Sequence, residues 1–203
     1  MNLYPYTEEF YQRADELIDA GKLIDSKGWV PATSGNFSAR LSDGSIAITV
    51  SGKHKGCLQR GDIMLIDAQG RPLDGKVPSA ECLLHSQLYQ RFLDIHCVLH
   101  PHSLNSTVIS LKHKKKVTLK NYELLKAFSG ITTHESSLIV PIFPNTQTMT
   151  QLTEAVEIYM DSHDDIYAYL IAGHGLYTWG ASVTETLYYL EALDFLFACE
   201  LQA

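Results

Sequence analysis

The chain has no apolar run approaching the roughly 20 residues of a membrane-spanning helix, and its opening stretch, MNLYPYTEEF, has no basic segment followed by an apolar one. The expectation is a soluble, cytoplasmic protein. Cysteine is scarce: Cys57, Cys82, Cys97 and Cys199 are widely spaced and form no Cys-x-x-Cys pair, which speaks for reduced thiols rather than a disulfide frame. Positive charge is also short. A net charge of −7 argues against a nucleic-acid groove, while leaving room for a small cationic pocket that takes an anionic metabolite. The one basic run, KHKKK at 112–116, reads as a solvated loop. Neither the GxxxxGK[ST] nor the GxGxxG fingerprint occurs, so nucleotide-binding classes lose support. There is no internal repeat, low-complexity tract or linker, and 203 residues fit one domain over 1–203.

What is present is a series of helix and strand patterns. Thr7 precedes a stripe of Phe10, Ala14, Leu17, Ile18 and Ile24, with Gly28 as its stop, which predicts an amphipathic helix. FSARL and SIAITV read as two strands joined through Asp43-Gly44, a dipeptide suited to a tight hairpin, and DIMLID as a third. Next come a helix over SAECLLHSQLYQRFL capped by Ser79, the strand IHCVLH and a short helix capped by Ser103. NYELLKAF reads as a helix, SLIVPIF as a strand, TMTQLTEAVEIYM as a helix and IYAYLIAGH as a strand. The last helix starts near Ser182. Its Leu187, Tyr188, Tyr189, Leu190, Leu193, Phe195, Leu196 and Phe197 cover more of its circumference than one core requires, which suggests a second copy of the chain as partner. This order predicts an α/β fold in three layers, α/β/α, around a largely antiparallel central sheet.

HCVLHPHS then raises a chemical question. Residues i and i+2 of a strand share a side, so His100 and His102 aim two imidazoles at one point if extended geometry persists through Pro101. A second apolar strand ends in His174 between Gly173 and Gly175, so two strands deliver three histidines at their ends, a ligand set suited to catalytic zinc. His54, His96, His113, His134 and His163 sit in contexts that do not suit ligands. A metal that polarises a carbonyl also needs a group that moves protons. Glu81, in the first turn of its helix, and Glu123, in NYELLKAF, are both available, and local sequence does not choose between them. TSGNFS and VSGKHKG each place Ser-Gly beside a strand, where backbone N–H groups can approach an anion; Lys53 and Lys55 tilt the second loop towards phosphate.

Taken in order, TSGNFSAR, SGKHKGCL, PSAECLLH, HPHS and AGHGLYTWG resemble the zinc-dependent class II aldolase family, and within it the branch that dehydrates a methylthio-substituted ketose 1-phosphate in methionine salvage. The motifs span 33–180. The resemblance implies an α/β/α fold, a homotetramer with active sites near subunit interfaces, and one Zn2+ per subunit on His100, His102 and His174. It implies phosphate binding by Gly35, Asn36, Ser51, Gly52 and Ser79, with Lys53 more particular to the dehydratases and Cys82 matching a substrate-contacting cysteine. Glu81 falls where sugar-phosphate aldolases place their acid/base glutamate, and Glu123 where some dehydratases carry theirs; the dehydratase reading favours Glu123. Ala80 stands where the aldolases have a serine, which removes one phosphate donor. Within the same family, a sugar-phosphate aldolase or a pentulose-phosphate 4-epimerase is the alternative activity.

Overall fold

The computed structural model describes residues 6–203; residues 1–5, half of the opening stretch read above for an export signal, lie outside the described residues. Thr7 caps the first helix, α1 (Glu8–Ser26), its hydroxyl accepting from the Phe10 N–H, and Gly28 at φ 72° follows the helix end. Strands β1 (Asn36–Arg40) and β2 (Ile46–Thr49) form the hairpin through Asp43-Gly44, and β3 (Ile63–Ile66) pairs with β2. There follow α2 (Cys82–Arg91), β4 (Cys97–His100), α3 (Leu104–Lys112), β5 (Lys116–Lys120), β6 (Ser137–Phe143), α4 (Met149–Met160), β7 (Ala168–Ile171), β8 (Gly175–Gly180) and α5 (Val183–Gln202).

The strands make one sheet in the order β3-β2-β1-β4-β8-β7-β6-β5. Every pairing is antiparallel except β6 with β7, whose connection runs through α4. Alternation along the strands feeds two cores. Phe37, Ala39, Ala47 and Leu99 face one cluster with α1, α3 and α5. Ile46, Ile48, Val98, Tyr169 and Tyr177 face the other with α2 and α4. The result is the expected α/β/α layering around a largely antiparallel sheet. Among the described residues no helix is long and apolar enough to cross a membrane.

Three local expectations are corrected, and one strand is added. Lys112 and Lys116 do not belong to a loop: Lys112 ends α3, and Lys116 opens β5, an edge strand on which it takes an exposed position. NYELLKAF forms a short 3-10 helix, Glu123–Ala127, in place of an α-helix; it buries only Leu125, too little apolar surface to repay helix nucleation. The helix after the second glycine-rich loop begins at Cys82 and not at Ser79, because Pro78 is held in a bridge to Val50 at the end of β2. Gly175 to Gly180 form a strand of their own, β8, entirely buried between β4 and β7.

Candidate active site

β4 is a central strand, and its last residue, His100, pairs with Asn36 at the start of β1. The extended backbone persists through Pro101, held by the His102 N–H donating to Trp29 O (2.8 Å) and the Leu176 N–H donating to Pro101 O (3.1 Å). His102 therefore falls on the same side as His100. β7 and β8 return antiparallel beside β4, and the turn joining them carries His174. Gly175 has no room for a side chain: a Cβ there would lie 2.5 Å from Pro101 O and 2.8 Å from His102 Cδ2. The missing side chain is what lets the third histidine close on the other two.

His100 Nε2 lies 2.9 Å from His102 Nε2 and 3.4 Å from His174 Nε2. The His100 ring is fully buried, stacks on Tyr177 at 3.9 Å, and donates from Nδ1 to Leu176 O at 2.9 Å. That hydrogen bond leaves the Nε2 lone pair facing the cluster, as in a histidine whose other ring nitrogen ligates a metal. Burial, then the neighbouring imidazoles, hold the His100 ring well below its ordinary pKa. Burial, then the charges of His174 and Lys55, bring His102 down to about 4. Both rings are thus kept in the neutral form that ligates. These three are the group among the described residues whose donor atoms could hold a metal, all within 4.8 Å of one another. Three imidazole nitrogens suit a borderline-soft divalent cation with a position left open.

The Glu81 carboxylate closes one side of the cluster, with Oε1 3.1 Å from His174 Nε2 and Oε2 3.6 Å from His100 Nε2. Glu81 is the residue immediately before α2, so the shift of the helix start to Cys82 is what presents it. Asn36 Nδ2 donates to Glu81 Oε2 at 2.5 Å. Gly35, at φ 76°, brings its loop so close that a Cβ would meet His100 O at 2.5 Å. Gly52 also has a positive φ, 74°, in the Ser51-Gly52 turn, and Ser79 Oγ accepts from the Glu81 N–H at 3.3 Å. Cys82 is buried with its Sγ 3.6 Å from Gly70 O, and burial raises its pKa.

Two residues of the expected set stand elsewhere. Lys53 is half-exposed and ion-paired with Asp62 at 2.9 Å. Glu123 is exposed, paired with Lys126 at 2.5 Å and 3.8 Å from His134, and it lies in an apolar groove with Leu124 and Phe195. The Lys126 hydrogen bond holds its carboxyl below the usual range.

Two further residues belong to the same neighbourhood: Lys55, which the sequence tilts towards phosphate, and His85, which the sequence reading leaves out. Lys55 is only 1% exposed, and its Nζ donates to Thr33 O (2.9 Å) and Lys53 O (2.6 Å), stapling the two Ser-Gly loops together. His85 is fully buried one helical turn after Glu81 and hydrogen-bonds Asn36. The i, i+4 spacing of Glu81, His85 and Tyr89 was the available signal for the second.

Residues 15–201 match the model of the class II aldolase and adducin N-terminal domain. The chain is 58% identical over 192 residues to a methylthioribulose-1-phosphate dehydratase of Methylococcus capsulatus, covering 95% of this chain and 94% of that one. With the protein of the same name from Pseudomonas fluorescens it shares 49% over 193 residues, covering 94% and 93%. Among solved structures, an L-fuculose-1-phosphate aldolase from Thermus thermophilus superposes with a TM-score of 0.74 at 21% identity, covering 94% of each chain, a likeness of fold.

Proposed function

The chain belongs to the class II aldolase and adducin family, and on that premise we propose that it is a zinc-dependent hydro-lyase converting 5-methylthioribulose 1-phosphate to 2,3-diketo-5-methylthiopentyl 1-phosphate in methionine salvage. The observation that carries this reading is the convergence of His100, His102 and His174 on one point with the Glu81 carboxylate beside it. The likeness to dehydratases at 58% and 49% identity supplies the substrate class.

Zinc held by the three imidazoles would polarise the substrate's C2 carbonyl and so acidify the C3 proton. The residues around it do the rest. The Ser51-Gly52 turn, Gly35, the second N–H of Asn36 and Ser79 bind the 1-phosphate, whose charge Lys55 helps to balance through the loops it joins. Lys53 adds to that site by releasing Asp62, and Cys82 lines it. Glu81 takes the proton from C3. Glu123 gives one to the C4 hydroxyl as it leaves, and in the proposed homotetramer a neighbouring copy supplies it, since in its own chain it faces outward. The enol left by loss of water takes up a proton at C4 and becomes the 2,3-diketone. The whole chain acts as one catalytic domain, in the cytoplasm.

A second reading, a sugar-phosphate aldolase or 4-epimerase, has one observation in its favour: Glu81 lies against the imidazoles at the position such aldolases use. Products separate the two. Zinc-loaded protein given 5-methylthioribulose 1-phosphate should release one water and yield diketone; retro-aldol fragments or a C4 epimer would replace the dehydratase reading. His174→Ala should lose zinc and turnover together, and retention of full zinc stoichiometry would overturn the ligand set.

A further inference from the structure

We propose that His85, which touches neither the imidazole cluster nor the substrate, is a positioning residue that fixes the Asn36 amide and, through it, the Glu81 carboxylate. A carboxylate only accepts, so the group of Asn36 that meets Glu81 Oε2 must be its NH2. The Asn36 carbonyl oxygen is thereby turned to His85 Nε2, which must carry the ring proton. His85 Nδ1 is then an acceptor, so the Ser38 hydroxyl, 2.6 Å away, donates to it. Ser38 in turn accepts from the Tyr89 hydroxyl at 2.9 Å. The result is a chain of donors running one way, from Tyr89 through Ser38, His85 and Asn36 to Glu81.

Each link is out of solvent: Asn36, Ser38, His85 and Tyr89 are all buried. Water therefore cannot replace a lost partner, and a wrong orientation at any link leaves a buried polar group unpaired. Burial also lowers the His85 pKa to about 3, so the ring stays neutral and its tautomer, not its charge, carries the information. α2 supplies the stiffness, because Glu81 caps it and His85 and Tyr89 follow at i+4 spacing on the same face, while Asn36 and Ser38 lie on one side of β1. A carboxylate that must meet a carbon-bound proton needs such a fixed direction, since misplacement by about 1 Å can cost roughly a hundredfold in rate.

This inference rests on the reading that Glu81 moves the C3 proton, and the tests keep the two apart. In 15N spectra of the zinc-loaded protein, His85 should show the neutral ring protonated at Nε2; a ring protonated at Nδ1 overturns the proposal whatever reaction the protein catalyses. His85→Leu should lower kcat roughly ten- to a hundredfold with zinc content within about threefold of wild type, and KM should rise by less than kcat falls, since the loosened Asn36 amide also meets the phosphate. His85→Gln, which keeps a donor towards Asn36, should recover part of that loss. On a Glu81→Gln background His85→Leu should cost less than about threefold, because its effect is exerted through the missing carboxylate. An equal loss on both backgrounds, or a fall in zinc content with kcat, would mark His85 as structural only. Should His85→Leu fail to fold, Ser38→Ala carries the same expectation, a smaller loss in kcat that vanishes in Glu81→Gln.

Discussion

At the level of single residues, the two lysines of SGKHKG take different roles, although charge alone would give them the same one. Lys53 ends in an ion pair with Asp62, while Lys55 is drawn inside to satisfy two loop carbonyls. Sequence cannot separate lysines two apart in a loop, because the choice depends on which carbonyls the folded loops leave unpaired. The shared side of His100 and His102 was legible since strand parity acts locally, whereas the place of His85 was not, its partners being set by β1 across the sheet. Lys55→Met should leave Thr33 O and Lys53 O without a buried donor, at roughly 1 to 3 kcal/mol each. Urea unfolding should therefore show a loss of about 2 to 6 kcal/mol. Burial brings the Lys55 pKa to about 8, below its ordinary 10.5, so between those values the unfolded chain holds more protons than the folded one. Its contribution should be full above pH 10.5 and fall as pH drops towards 8. The stability difference between wild type and Lys55→Met should widen from pH 8 to pH 10; a flat difference would contradict the buried ammonium.

At the level of elements, the patterns that were read correctly are those whose burial is one-sided and long. α1 announces itself by a cap, a stripe and a glycine stop, and the β1–β2 hairpin by its Asp-Gly turn. β8 went unread because it begins on Gly175 and ends on Gly180 and is buried throughout, so it shows neither alternation nor a β-rich start. That strand nevertheless sets the site, because Gly175 is where its backbone passes Pro101 and His102. Gly175→Ala should push β8 from β4 and spread the three imidazoles, weakening zinc by roughly ten- to a hundredfold, as loss of a metal's supporting shell does. Gly44→Ala is the control: its φ of 84° is strained, yet nothing lies within 4 Å of a Cβ there. It should lower thermal stability modestly and leave zinc affinity unchanged. Equal zinc loss in both variants, by chelator competition, would show that general destabilisation and not the close approach is responsible.

At the level of the whole molecule, the helix with surplus apolar surface is α5, and its side chains divide between core and solvent. Leu190, Leu193, Leu196 and Phe197 are buried, while Tyr188 and Phe195 remain 61% and 58% exposed. Glu123 shares the groove beside Phe195 with Leu124. A copy seated on this face would cover the apolar side chains and carry Glu123 to a neighbour's site, which joins the proposed homotetramer to the proposed proton donor. Phe195→Glu should then reduce the assembly seen by sedimentation and lower turnover with it, although Phe195 lies outside the histidine cluster. Complementation tests the shared site directly. Glu81→Gln and Glu123→Gln should each be nearly inactive alone. If every site takes Glu81 from one chain and Glu123 from another, random co-assembly of the two variants in equal amounts restores both carboxylates at roughly a quarter of the sites of a closed symmetric oligomer. Turnover near that fraction is the expected result. If instead one chain supplied both groups, mixing would restore nothing, since no chain in the mixture carries the pair.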